Sequence, residues 1–218
     1  MNYAEKQIFE LKNLVSRYRR IPEQAHHDFI HFYESYFNLI EQLNFEEMIE
    51  MKFTYLKSLY HLEMIDLFQY KSEKFLVDLL NHDEFNKRQH KIYEEILYLK
   101  AIAFKDELKS LQSANILAAL VKMNPEDIRF TSDLKKNYYQ EEIIKMRAWI
   151  GLTISIVIIS LILSAAQLFI IQHFYPNLFE LCDLVRNLSF VLGIILFFSI
   201  QAKAIMLVRQ KLKKIKEK

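Results

Sequence analysis

Arg17, Tyr18, Arg19 and Arg20, followed by His26 and His27, form the densest positive patch in the first two thirds of a 218-residue chain. Guanidinium groups recognise phosphate and a tyrosine ring can stack on a base, so Arg17, Tyr18, Arg19 and Arg20 are candidate ligand-binding residues for a nucleotide or oligonucleotide. A helix carboxyl terminus also favours basic residues through its dipole alone. A second group, His27, His31 and Glu34, shares one helical face at offsets of four and three. That geometry suits a transition metal. With Glu23, Asn38 and Glu41 nearby it reads instead as a solvated face, and no metal or cofactor is expected. The single cysteine, Cys182, excludes an intramolecular disulfide and a cysteine-based zinc site.

Five residues separate Arg20 from His26, a spacing similar to the Arg-x(4–6)-His motif of HEPN ribonucleases. Ile21 stands where that family carries a polar side chain, and Pro22 places a helix break inside the motif. No catalytic residues are assigned, and the chain reads as a non-enzyme. A third set of polar residues lies in apolar surroundings: Thr153, Ser160, Ser164 and Gln167, seven, four and three apart on one helical face. Small hydroxyl residues and an amide on one face either pack helices within lipid or line a pore in an oligomer.

These residues must be positioned by the elements around them. Ala148 to Ile171 is uncharged, and a second uncharged run, Asn187 to Ala202, extends to Val208 if Lys203 snorkels to the headgroups. Each run is long enough to cross a hydrocarbon core of about 30 Å. Spans at about 148–172 and 187–208 therefore form a membrane hairpin over 148–208, with QHFYPNLFELCDLVR as its outer connection.

The tail from Lys203 holds seven Lys and Arg against Glu217 alone. Lys203, Arg209, Lys211, Lys213 and Lys214 are read as membrane-surface residues, which by the basic-residue rule sets both termini in the cytoplasm. MNYAEKQIFELKNL has no apolar core of signal-peptide type, in keeping with an untranslocated amino-terminal domain.

Both glycines, Gly151 and Gly193, fall in the apolar runs, and three prolines, Pro22, Pro125 and Pro176, mark helix starts or turns. No glycine-rich phosphate loop or alternating strand pattern is present. The fold expected is all-α, an amino-terminal cytosolic helical bundle followed by a carboxy-terminal two-helix transmembrane hairpin. Its parts are a helical domain over 1–124, a connecting helix over 125–147 continuous with the first span, the hairpin, and a basic tail over 209–218. Within the domain, helices are expected over about 3–19, 22–43, 44–81 without a break, and 83–111, with Asn44 and Asn124 as caps. An unbroken helix from Pro125 to Ile171 would couple domain and membrane rigidly.

The segment RAWIGLTISIVIISLILSAAQLFI, with the second span and the basic tail, resembles small bacterial membrane effectors of antiphage defence, the SLATT-type two-transmembrane proteins and Hailong-type channels. The resemblance is architectural and covers the last third of the chain. It implies a homo-oligomeric channel in the inner or plasma membrane, controlled by a nucleotide, oligonucleotide or regulatory protein bound by the cytosolic domain. In SLATT proteins helices lie around or after the hairpin, whereas here the soluble domain precedes it. The alternative is a membrane-anchored binding module, such as an adaptor, scaffold or toxin-immunity protein, in which the hairpin only tethers.

Overall fold

The computed structural model describes residues 3–82, 86–171, 173 and 175–216. Among them every regular element is helical. Two compact units divide the chain, Met1–Leu120 and Val121–Lys218.

The first unit contains α1 (Tyr3–Tyr18), α2 (His26–Ser35), α3 (Phe37–Ile40), α4 (Phe45–His61), α5 (Ile65–Leu80) and α6 (Lys87–Asp106), and α7 (Ser110–Met123) begins within it. α4 is the central element, packing on α2, α5 and α6. Its apolar residues Ile49, Met51, Tyr55, Leu56 and Leu59 are spaced so that more than one face is buried. They meet Phe29 and Phe32 of α2, Phe68, Phe75 and Leu79 of α5, and Ile96 and Leu99 of α6 in one core. Asn44 caps α4 as its sequence predicts, its side-chain oxygen accepting from the Glu47 backbone N–H at 2.9 Å.

Several expected boundaries are corrected. Pro22 does not open a helix: its carbonyl accepts from the Ala25 N–H at 2.9 Å in a turn, and α2 starts four residues later. Tyr36, at φ −113° and ψ 17°, then separates α2 from α3. The expected helix over 44–81 is two helices, because Glu63 adopts φ 59°. The Glu63 N–H bonds the Tyr60 carbonyl and the Met64 N–H bonds the Leu59 carbonyl at 3.0 Å, which closes α4 in a Schellman motif. α6 ends identically around Leu108, at φ 61°, with the Lys109 N–H reaching the Phe104 carbonyl at 2.8 Å. At its other end α6 is opened by a capping box between Asn86 and Gln89, while the expected start at Asp83 lies outside the described residues.

Left-handed backbone costs a residue with a Cβ roughly 1–2 kcal/mol. Leu108 is 90 % exposed and so contributes little packing in return. Leu108→Gly is expected to raise stability by about 1 kcal/mol, read as a higher denaturant midpoint at unchanged m-value.

The second unit contains α8 (Ile128–Lys145), α9 (Arg147–Ala166, continued by a π turn over Gln167–Ile171), a 3₁₀ turn at Pro176–Leu178 and α10 (Phe179–Lys216). α10 runs antiparallel along both α9 and α8. Arg147–Ile171 and Phe179–Ile215 are each long and apolar enough to cross a membrane. The cap of α8 is Asp127, accepting from the Arg129 N–H at 2.9 Å, and not Asn124. The expected unbroken helix from Pro125 is also corrected: Met146, at φ −92° and ψ 10°, separates α8 from α9. The second apolar helix begins eight residues before Asn187, because nothing after Pro176 breaks it and Asp183 pairs with Arg186. Gln172, at the expected end of the first span, and Glu217 and Lys218 of the tail lie outside the described residues.

Candidate functional site

The polar face of α9 turns toward α10 of the same chain. Thr153, Ser160 and Gln167 are 3–4 % exposed and Ser164 is half-buried. Thr153 and Ser164 return their hydroxyl hydrogens to the carbonyls four residues back, Trp149 at 2.9 Å and Ser160 at 3.0 Å, satisfying donors that would otherwise be costly in an apolar setting. Ser160 reaches across and donates to the Arg186 carbonyl at 3.2 Å.

Gln167 opens the π turn, a helix irregularity that re-aims side chains, and it bonds two polar residues of α10. Arg186 Nη1 donates to Gln167 Oε1 at 2.7 Å, and Gln167 Nε2 donates to Asp183 Oδ1 at 3.4 Å. Arg186 and Asp183 form an ion pair one turn apart. Asn187 closes the group, its Nδ2 donating to Asp183 Oδ2 at 3.1 Å and its Oδ1 accepting from Arg186 at 3.0 Å. These four side chains thus neutralise one another on the seam between two apolar helices. Asp183, Arg186 and Asn187 are absent from the residues singled out by sequence, since charges next to a proline read as a loop. The signal available was their i, i+3, i+4 spacing.

Below this cluster Gly193 lets the helices meet. A Cβ built there would lie 2.9 Å from Val157 Cγ2, whereas one at Gly151 would meet nothing within 4 Å. Along α10, Glu180, Asp183 and Asn187, with Leu184, Leu188 and Val191, line a groove of about 450 Å³ in which Glu180 and Asn187 are exposed.

At the far end α10 is tied to α8. Lys211 Nζ bonds Glu142 at 2.7 Å and Glu141 at 3.1 Å, and Lys145 bonds Glu141 at 2.6 Å. The Lys211 ammonium holds the Glu142 carboxyl below the usual carboxylate range, and Lys145 does the same for Glu141. Lys211 also lies 4.8 Å over the Tyr138 ring, and Tyr139 donates to Gln201. Of the membrane-surface candidates, Lys203, Arg209, Lys213 and Lys214 are exposed on α10, while Lys211 is engaged by carboxylates instead of standing free for headgroups.

The amino-terminal patch is split by the fold. Tyr18 faces the core between Phe29 and Phe32, its hydroxyl 2.6 Å from Thr54 Oγ1, so it offers no face for base stacking. Burial pushes its pKa up. Arg17 covers the Tyr36 ring at 4.8 Å. Arg19 and Arg20 border one groove, beside Lys12 and Glu47, and Arg17 and Arg20 border another, beside Asp28 and His31. Of the candidate metal face, Glu34 accepts from the Tyr55 hydroxyl at 3.2 Å and His31 neighbours Ser35; His26, outside that face, stacks on His61 with ring centroids 4.6 Å apart. Among the described residues no three His, Cys, Asp or Glu side chains converge as a metal site.

The class defined by these features is an all-helical protein with a bundle followed by two paired apolar helices of membrane-crossing length. Compared with known protein families, curated proteins and solved structures, the chain matches none.

Proposed function

We propose that this protein is a homo-oligomeric membrane channel or pore-forming effector. Its amino-terminal helical unit lies in the cytoplasm and senses a ligand or partner, α9 and α10 cross the inner or plasma membrane, and both termini are cytoplasmic. Use in antiphage defence accords with the architectural resemblance. Two spans per chain cannot enclose a channel, so the reading requires several copies around one axis.

The observation that carries it is the polar groove of α10, where Glu180 and Asn187 stay exposed although Asp183 and Asn187 also bond within the hairpin. A carboxylate pair and an amide on an otherwise apolar helix disfavour lipid and favour a bundle interior or a water-filled cavity. In this reading Glu180, Asp183 and Asn187 form a polar vestibule, and the apolar face that follows, through Val191 and Ile194 to Phe198, forms a constriction that gates by dewetting. Thr153, Ser160, Ser164 and Gln167 then serve to pack α9 on α10 and do not line the pore.

One observation favours the tethering alternative: the hairpin satisfies most of its polar side chains within a single chain, as an anchor would. Reconstitution separates the two. The full chain in liposomes is expected to release trapped ions, and Glu180→Leu with Asn187→Leu is expected to reduce that flux at least tenfold while leaving insertion and oligomeric state intact. A chain that stays monomeric in mild detergent, or that functions equally well on an unrelated anchor, supports tethering.

A further inference from the structure

The first unit contains a pocket of about 500 Å³ between α2, α3, α4 and α5, a size that accommodates a small-molecule ligand. Its wall is the stacked pair Tyr33 and Tyr55, ring centroids 4.2 Å apart at 20°, on neighbouring helices. Phe37 stands edge-on to Tyr33 at 6.0 Å and is 46 % exposed, an aromatic surface left open beside the stack.

Several polar groups of the lining are already engaged. Lys52 pairs with Glu41 at 2.8 Å, and the Tyr55 hydroxyl donates to Glu34 at 3.2 Å. Those contacts leave Tyr33, Lys71, Lys74 and Asp78. Tyr33 is nine-tenths buried as a residue and lines the pocket. A hydroxyl on the pocket wall can donate to a ligand acceptor, a bond worth about 0.5–1.5 kcal/mol net. Desolvation, with Glu41 and Asp78 close by, raises the Tyr33 pKa, so the hydroxyl keeps its proton and stays a donor. Lys71, its Nζ 5.9 Å over the Tyr70 ring, and Lys74 stand one turn apart on the rim, and with Asp78 these charges sum to +1.

We propose that this pocket binds a small ligand made of a flat aminated heterocycle carrying an anionic group. Phe37 and the tyrosine pair stack on the ring, Tyr33 donates to a ring acceptor while Asp78 accepts from its amino group, and Lys71 with Lys74 hold the anion. As the ligand site of a sensor it rests on the channel reading, but as a binding site it stands alone. It is distinct from the arginine patch, whose grooves share none of its lining residues.

The probe is adenosine monophosphate, with adenosine and inorganic phosphate as the uncharged and ringless comparisons, titrated calorimetrically against the full chain in detergent. The monophosphate is expected to bind at least tenfold more tightly than either comparison. Tyr33→Phe keeps the stacked ring and the fold, and should weaken it about fivefold to tenfold. Lys71→Gln with Lys74→Gln should erase the preference for monophosphate over adenosine. Absence of monophosphate binding overturns the proposal, and so does binding unchanged in both variants. Equal affinity for adenosine and the monophosphate overturns the anion assignment and with it the proposed class. Liposome flux recorded with the same probe keeps the two questions apart: binding without any effect on flux retains the pocket and removes its sensor role, whereas flux without binding retains the channel and removes the pocket.

Discussion

Gly193→Leu is expected to force α9 and α10 apart and to abolish cooperative unfolding of the hairpin, with a loss of about 1–3 kcal/mol where a transition can still be measured. The cause is local. Any Cβ at this position falls 2.9 Å from Val157 Cγ2, and a valine in a helix has one strongly preferred rotamer, so the methyl cannot swing aside. Within lipid no hydrophobic force would reclose the gap, because the tails are as apolar as leucine, and helix association there depends on close van der Waals fit. The loss would extend along the seam, since the Ser160–Arg186 and Gln167–Asp183 bonds need the same approach. Gly151→Leu is the matched control: a Cβ there meets nothing within 4 Å, so the hairpin should unfold as before. A change in oligomeric state for Gly151→Leu alone would locate a contact between copies. A melt of Gly193→Leu indistinguishable from the parent would remove the close approach as a stabilising feature.

The helical class was legible because the sequence is locally consistent: two glycines, both in apolar runs, three prolines at turns, and a cap at Asn44 that the structure reproduces. The helix ends at Glu63 and Leu108 were not, since a left-handed stop signals itself through glycine and here it is made by residues that elsewhere favour helix. The polar face of α9 was legible from spacing alone, but its direction was not. Spacing fixes which residues share a face and says nothing of what that face meets. The partners on α10 depend on an antiparallel register in which Gln167 lies beside Asp183, Gly193 beside Val157 and Glu142 beside Lys211. Tyr18, flanked by arginines, reads as a stacking surface, yet its spacing from Leu14 and Val15, both buried, places it inward. The pocket around Tyr33 and Tyr55 joins residues from four helices and leaves no trace in the sequence as a motif.

Asp183→Ala tests whether the charged cluster is a working part of the seam. The carboxylate receives Arg186, Gln167 and Asn187, so its removal leaves the guanidinium with two amide oxygens and no counter-charge. Breaking a fully buried pair costs about 3–5 kcal/mol, and an unpaired Arg at the centre of a bilayer about 2.5–3.5 kcal/mol. Twenty residues, about 30 Å of helix, separate Gln167 from Arg147, which puts the cluster near the outer edge of the hydrocarbon core where the penalty is smaller. A loss of about 2 kcal/mol in unfolding from mixed micelles is therefore expected for Asp183→Ala. Asp183→Ala with Arg186→Leu should recover most of it, because apolar replacement of both members of an ion pair is often neutral, and the cycle isolates their coupling. Flux then distinguishes a structural from a conducting role. In the channel reading the double variant, though stable, replaces a polar pair of the vestibule with apolar side chains at unchanged net charge, and conducts less well than the parent. If it conducts like the parent, the Asp183–Arg186 pair belongs to the packing of α9 on α10 alone, and Glu180 remains the acidic group of the vestibule.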